Sequence, residues 1–452
     1  MAVATPQWSS RFAFLMAAIG SAVGLGNLWR FPFHTGQNGG AAFVIVYLVC
    51  VVLVAYPILM GELSVGRHKG LSAVGSTRQL ALDSGRSGNW SIVGWVGVLA
   101  GFAILTTYSI IAGQVIAYSV MSFIGEFAGR AATDAAQATS LYASATHALS
   151  WHTLFMGLTV LIVSAGLHGG IERVVTVLMP MFFVMLVGLC VYALATGATG
   201  EALAYLFAPD FSQITPTIVL AALGQAFFSV GVGSAMMITY GSFLSKDENI
   251  GNSAAIIAGS DTLVATIAGL MIFPIIFAYG LDPAAGTGLI FGALPAVFSG
   301  MPGGAIVGGM FFLLAFIAAL TSSISILITV SAVGVEQFGL SKNRSAVIAG
   351  SLAWAVGAAV VMISGLGDWV DFLSGSVLLP MGGLLVAIFV GWVAPRKIMR
   401  EELHNTNNML FRSWHFLCRY LVPVAVALIL LLGIDAKFNF GMNAMIAGLA
   451  GA

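Results

Sequence analysis

Apolar residues run through this chain in long blocks, and polar residues gather in the short stretches between them. A helix needs about 20 apolar residues to cross a hydrocarbon core. Eleven blocks meet that length, starting near residues 11, 41, 91, 152, 174, 214, 252, 304, 344, 370 and 415. The pattern predicts eleven membrane-spanning helices, give or take one, and the tail NFGMNAMIAGLAGA is too short for a twelfth. With a cytoplasmic N-terminus the inner side collects Arg11, Arg67, Lys69, Arg78, Arg86, Arg173, Lys246, Lys342, Arg344, Arg396, Lys397, Arg400, Arg412 and Arg419. Only Arg30, Arg130 and Lys437 remain outside. This asymmetry predicts the N-terminus inside and, with an odd span count, the C-terminus outside.

Two blocks carry residues that interrupt helices. The first contains AIGSAVGLGNLWRFP (18–32), and the sixth contains GQAFFSVGVGSAMMITYG (224–241), where Ser229-Val-Gly231-Val-Gly233 echoes Ser21-Ala-Val-Gly24-Leu-Gly26. They head two successive groups of five. This predicts inverted five-helix repeats over roughly 11–200 and 213–395 within one transmembrane domain spanning 1–452, plus an extra helix near 413–436. Irregular backbone at that depth survives only where protein or a polar cavity satisfies it. Close helix packing would explain the glycines, but it does not require Asn27, Arg30 and Pro32.

Composition agrees: 59% of residues are hydrophobic and 8% charged, far below the roughly 25% charge of soluble domains. Seventeen basic residues balance seventeen acidic ones, so no surplus attracts nucleic acid. Cys50, Cys190 and Cys418 fall in apolar blocks and read as packing thiols. MAVATPQWSSR lacks the basic region, short apolar core and cleavage site of a signal peptide, so the first span serves as the targeting signal. No nucleophile, base and orienting group stand together in the sequence, and the seven histidines form no metal-ligand cluster, which argues against an enzyme.

SAVGLGNLWRFP resembles the first-span signature of the neurotransmitter:sodium symporter family. GELSVGR (61–67), GQAFFSVGVG (224–233), ALTSSISI (319–326), DWVDFLSG (368–375) and Gly170 followed by nine residues and Pro180 extend the likeness across ten spans in order. The resemblance implies an all-α, leucine-transporter-like fold with a substrate site flanked by two sodium ions at the breaks in spans one and six. Physics makes this sensible: a broken helix offers unpaired N–H groups to a carboxylate and unpaired carbonyls to a cation. Sodium, a hard ion, takes oxygen ligands.

Carried onto this sequence, the first sodium site is the Ala22 carbonyl, Asn27, Ser229 and Asp261, with the substrate carboxylate as a further ligand. The second is the carbonyls of Gly20, Val23 and Ala318 with the hydroxyls of Thr321 and Ser322. The substrate pocket comprises Ser21, Ala22, Gly24, Leu25, Gly26, Ile104, Tyr108, Phe228, Ser229, Gly231, Ser234, Ser322 and Ile326. By the same analogy the Tyr108 hydroxyl binds the substrate carboxylate and its ring closes over the pocket with Phe228. Family members that carry monoamines have aspartate at Gly24, so glycine implies a substrate bearing its own carboxylate. Gly231 and Ser234 imply a roomy side-chain subsite for bulky aliphatic or aromatic amino acids, unless Met236 or Met237 swings in. Asp261 stands where chloride-dependent relatives are uncharged, which implies that chloride is dispensable although Tyr47, Gln225 and Ser229 match the chloride pocket. A carboxylate stranded when sodium leaves would take up a proton, implying proton antiport.

Arg30 and Asp371 match the family's extracellular gate. At the inner gate Glu336 replaces an aspartate, and Thr5 stands where the arginine before Trp8 is expected, leaving Arg11 or another base as its substitute. Glu62 resembles the brace for the span-six break. Gly170 and Pro180 resemble the element that lets span five unwind, or else mark an ordinary kink. The sequence thus predicts an inner-membrane symporter of a neutral hydrophobic amino acid with Na+. An osmolyte or amino-butyrate carrier and a transporter-like receptor stand as alternatives. No obligatory protein partner is evident.

Overall fold

The computed structural model describes residues 7–128, 144–283 and 289–442, so Thr5 and Arg130 lie outside the described residues. Nine helices there are long and apolar enough to cross a membrane: Ala41–Lys69, Gly88–Phe123, Ala145–Ser164, Leu167–Thr196, Ile250–Ala278, Gly304–Phe338, Lys342–Met362, Leu366–Val393 and Asn408–Phe438. A bent pair, Arg11–Ala22 and Gly26–Gln37, passes the same test with a 50° bend at its break. The remaining predicted span exists as two pieces, Pro216–Val230 and Met236–Gly241, each too short to cross alone. Taken in chain order these are spans one to eleven.

Three starts differ from the expectation. Spans four, five and eleven begin at Ala145, Leu167 and Asn408, ahead of 152, 174 and 415. Their first turns are polar, so hydropathy misses them. Capping starts two of these helices: Ser144 accepts from His147 N–H and Asn407 from Leu410 N–H.

Burial orders the bundle. The most apolar stretch of span eight is 83% buried and that of span eleven 17%, so span eight forms the centre and span eleven the rim. Backbone approaches that only glycine permits tie the spans around the breaks. A Cβ on Gly66 of span two would lie 1.9 Å from the Ile238 carbonyl oxygen, and one on Gly241 would lie 2.5 Å from that of Leu63. Spans two and six therefore lock together, as small residues allow where apolar burial gives no preference.

On the face carrying Trp8, the ends of these helices are joined by charge. Arg67 donates to Glu402 Oε2 at 3.1 Å, to the Glu402 carbonyl and to the Glu248 carbonyl at 2.5 Å. Lys246 reaches Glu402 at 2.7 Å and His68 reaches it at 3.2 Å. Burial pushes the Glu402 carboxyl up, but hydrogen bonds from His68 and Lys246 and the charges of Lys246 and Arg67 outweigh it, holding it at about 2. The segment between spans ten and eleven is thereby clamped to spans two and six.

Two outcomes follow. Gly66→Ala lowers stability to thermal unfolding by about 1–3 kcal/mol through overpacking, whereas Gly259→Ala, whose Cβ meets nothing within 4 Å, leaves it unchanged or slightly raised; thermal denaturation in detergent checks both. Because the Glu402 carboxyl is depressed from 4.5 to about 2, its contribution is complete above pH about 4.5 and lost as pH falls toward about 2. Glu402→Gln removes that part of the acid-unfolding profile.

Candidate functional site

The site grows from the two breaks. Span one stops because Val23 is extended (φ −69°, ψ 113°), and its next amides need partners. Asn27 Oδ1 accepts from Gly24 N–H at 2.9 Å, and the Tyr108 hydroxyl accepts from Leu25 N–H at 3.3 Å. Span six stops at Gly231 (φ +70°) and resumes after Ala235 (φ +60°). Gly233 between them has φ +90°, and its Cβ would lie 2.3 Å from the Leu379 carbonyl oxygen of span ten, so both conformation and space demand glycine there. Its N–H donates to Glu62 Oε1 at 2.7 Å.

Between the breaks lies a cavity of about 60 Å³. All thirteen residues expected in the substrate pocket line it: Ser21, Ala22, Gly24, Leu25, Gly26, Ile104, Tyr108, Phe228, Ser229, Gly231, Ser234, Ser322 and Ile326. Met236 and Leu379 join them. A Cβ on Gly24 would sit 3.1 Å from both the Tyr108 and the Ser322 hydroxyl oxygens, so an aspartate there has no room without displacing them. The subsite is less roomy than Gly231 and Ser234 imply. Met236 Cε stands 3.0 Å from where a Gly231 Cβ would be, and Met236 Sδ accepts from the Ser21 hydroxyl at 3.4 Å. Met237 is buried and does not line the cavity.

Two oxygen-rich clusters flank this cavity. In the first, fully buried Asp261 accepts from Asn27 Nδ2 at 2.7 Å and from the Ser229 hydroxyl at 2.8 Å, and Tyr47 donates to Ser229 at 3.5 Å. Gln225 Nε2 faces the Gly26 carbonyl at 3.4 Å. The Asn27 oxygen faces the broken backbone and its nitrogen faces the carboxylate, the orientation that hydrogen bonding to an anion selects. In the second cluster the Ser322 hydroxyl oxygen lies 3.4, 3.2 and 3.1 Å from the carbonyls of Gly20, Val23 and Ala318. Thr321 points its hydroxyl to its own helix, 3.1 Å from both the Ile317 and Ala318 carbonyls. Met179 of span five borders this cluster, its sulfur 2.9 Å from a Cβ built on Gly20.

The gates differ from expectation. Arg30 and Asp371 form no ion pair in this conformation: the Arg30 guanidinium lies 3.9 Å over the Phe228 ring and its Nε donates to His34 at 3.3 Å, while Asp371 is exposed. A cation over an aromatic face is favourable in itself, so Arg30 caps the cavity through Phe228. At the other face Arg11 pairs with Glu248 at 3.1 Å and does not substitute at Glu336. Glu336 instead accepts from Ser72 N–H at 2.6 Å, at the start of helix Ala73–Asp83. The N-terminal segment is closed by Trp8, whose indole N–H donates to the Tyr240 carbonyl at 3.2 Å and whose backbone N–H donates to Phe243 at 3.1 Å. Ser9 N–H donates to Glu172 at 2.8 Å. Gly170 lies in a wound π-helical turn, Leu167–Glu172, and a Cβ on it would strike the Ile162 carbonyl, so here it serves helix packing. Pro180 sits within the continuous helix Arg173–Thr196.

Met236, named as a residue that could swing into the subsite, does line the cavity, whereas Leu379 and Glu172 were missed. Glu172 had a signal in being an acid beside Gly170. Leu379 had none, since nothing in an all-apolar span tells which face meets the break.

Known proteins are similar to this chain in sequence and in fold. The profile of the sodium:neurotransmitter symporter family matches residues 5–140 and 139–445. An uncharacterized sodium-dependent transporter of Bacillus subtilis (strain 168) is 37% identical over 451 residues, covering 94% of this chain and 97% of its own. Sodium-dependent nutrient amino acid transporter 1 of Drosophila virilis is 23% identical, covering 93% and 76%. The crystal structure of MhsT in complex with L-phenylalanine superposes with a TM-score of 0.86 at 39% identity, covering 94% of this chain and 99% of that one. The chain belongs to the sodium:neurotransmitter symporter family, as a multi-pass, sodium-dependent transporter with the leucine-transporter-like fold.

Proposed function

We propose that this transporter carries a neutral, hydrophobic L-amino acid, bulky aliphatic or aromatic, inward with sodium by alternating access. The observation that carries the reading is the cavity at the two helix breaks, bordered on either side by a cluster of oxygens. The substrate carboxylate lies against the N–H groups that begin the second half of span one and against the Tyr108 hydroxyl. Its amine faces the carbonyl end of the first half of span six. Gly24 supports this, because the space a competing carboxylate would need is taken by Tyr108 and Ser322. The side chain lies toward Gly231, Ser234 and Ile326, where the flexible Met236 withdraws to admit it. That MhsT binds L-phenylalanine in a closely similar fold supports an aromatic or large aliphatic side chain.

Two sodium ions travel as co-substrates. The first takes Ala22, Asn27, Ser229, Asp261 and the substrate carboxylate. The second takes the carbonyls of Gly20, Val23 and Ala318 with Thr321 and Ser322. A carboxylate about 4 Å from a cation is worth about 4 kcal/mol even at an effective dielectric of about 20, so Asp261 does the work of chloride. Its position beside Ser229 and Tyr47 fits this, since a second anion there would be repelled. On the return step Asp261 carries a proton, which spares the empty carrier a bare buried carboxylate. The two five-span repeats form one domain, with N-terminus cytoplasmic in a bacterial inner membrane.

Thermal unfolding with each of the twenty amino acids in sodium chloride, sodium gluconate and potassium chloride tests the reading. Bulky apolar amino acids stabilise the protein in both sodium salts and not in potassium, in proportion to the logarithm of ligand over dissociation constant; no sodium-dependent shift with any of them overturns it. Asp261→Asn makes binding chloride-dependent and abolishes proton export from proteoliposomes. A variant that kept chloride independence and proton export would remove Asp261 from both roles.

A further inference from the structure

A second pocket, remote from the transport cavity, lies where the short helix Arg396–Glu402 meets the start of span eleven. Arg396, Lys397, Arg400 and Arg412 line it with Asn408 and Phe411. Among the described residues no carboxylate lies within ion-pair distance of these four cations. Arg400 is held in place by neutral partners, the Thr406 carbonyl at 2.7 Å and Asn408 Oδ1 at 2.8 Å, and it stacks on Phe411 at 5.1 Å. Its charge is oriented without being neutralised. The contrast with the opposite end of the same helix is direct, because there Glu402 answers Arg67 and Lys246. In a chain whose charges balance overall, four cations converging without a counter-ion call for an external anion.

The surroundings say which kind. Trp392 and Tyr420 are both about half exposed with their rings in contact, and Arg419 lies 4.3 and 5.6 Å from them, an aromatic and basic group of the sort that marks the headgroup level of a bilayer. From Phe416 and Tyr420 an exposed apolar stripe continues along one face of span eleven through Val424, Leu428 and Leu431. A cationic cup at one end and a bare apolar stripe running away from it match the polar and apolar parts of an amphiphile lying along the helix. A free anion would use only the cup.

We propose that this is a binding site for an anionic phospholipid, its phosphate held by Arg396, Lys397, Arg400 and Arg412 and its acyl chains lying over the Phe416 to Leu431 stripe. Guanidinium groups suit phosphate because their planar donors bind it two at a time, and basic pockets at the cytoplasmic ends of spans are where such headgroups bind. The site rests on the membrane reading and is independent of the transported substrate. The test is native mass spectrometry of the full chain released from nanodiscs of phosphatidylcholine, with and without phosphatidylglycerol. The wild-type chain retains phosphatidylglycerol in preference to phosphatidylcholine, and the preference falls about fivefold for each cation removed in R396Q/R412Q, while R396K/R412K, which keeps the charge without the planar fork, loses less of it. Unchanged retention in R396Q/R412Q overturns the proposal, provided its melting transition shows it folded. Inorganic phosphate that displaces the lipid completely at millimolar concentration also overturns it, because the site would then be one for a free anion.

Discussion

An interrupted helix inside a bilayer leaves amides and carbonyls that hydrocarbon cannot satisfy, and this chain accepts that cost twice. The rest of the structure is arranged around discharging it. Glu62 takes the Gly233 N–H, Tyr108 takes that of Leu25 and Asn27 takes that of Gly24, each from a different part of the sequence. These three residues are polar groups placed in an otherwise apolar interior, and each is paired to backbone. What they leave unanswered at the breaks borders the cavity between spans one and six.

Packing serves the same constraint. The breaks must be enclosed tightly enough to exclude lipid, and glycine lets backbones approach where side chains would hold them apart. Gly233 and Gly382 bring spans six and ten into contact at one break, with a Cβ on Gly382 falling 2.1 Å from the Gly233 carbonyl oxygen. Gly66 and Gly241 do the same for spans two and six. The bundle is thus close-packed where backbone is irregular, while span eleven is left mostly to the surroundings.

Much of this could be read in the sequence because its constraints are local. Span number follows from hydropathy, and the breaks follow from glycines beside Asn27 and after Ser229, which no packing argument alone requires. The cavity lining follows from the family pattern, as residues at a break face it whatever the rest does. The parts that escaped are set by distant pairing. Arg11 meets Glu248 and not Glu336, and Arg30 lies on Phe228 and not with Asp371. A long cationic side chain reaches several partners, and sequence gives no way to choose among them. Leu379 escaped because an apolar run in span ten carries no mark of the face it presents.

The two sides of the cavity are covered by different physics. Toward Arg30 the cover is a cation resting on an aromatic ring, while Asp371 is exposed. Toward Trp8 closure is distributed over the indole and backbone bonds to span six, the Ser9 bond to Glu172 in span five and the Arg11 pair at the start of span seven. Opening that end therefore requires breaking contacts to three spans together. One of them, span five, also presents Met179 to Gly20 beside the Ser322 cluster. The contacts that hold the N-terminal segment shut and those that shape the second oxygen cluster meet in the same helix. A change in one cannot leave the packing of the other untouched in an interior this dense.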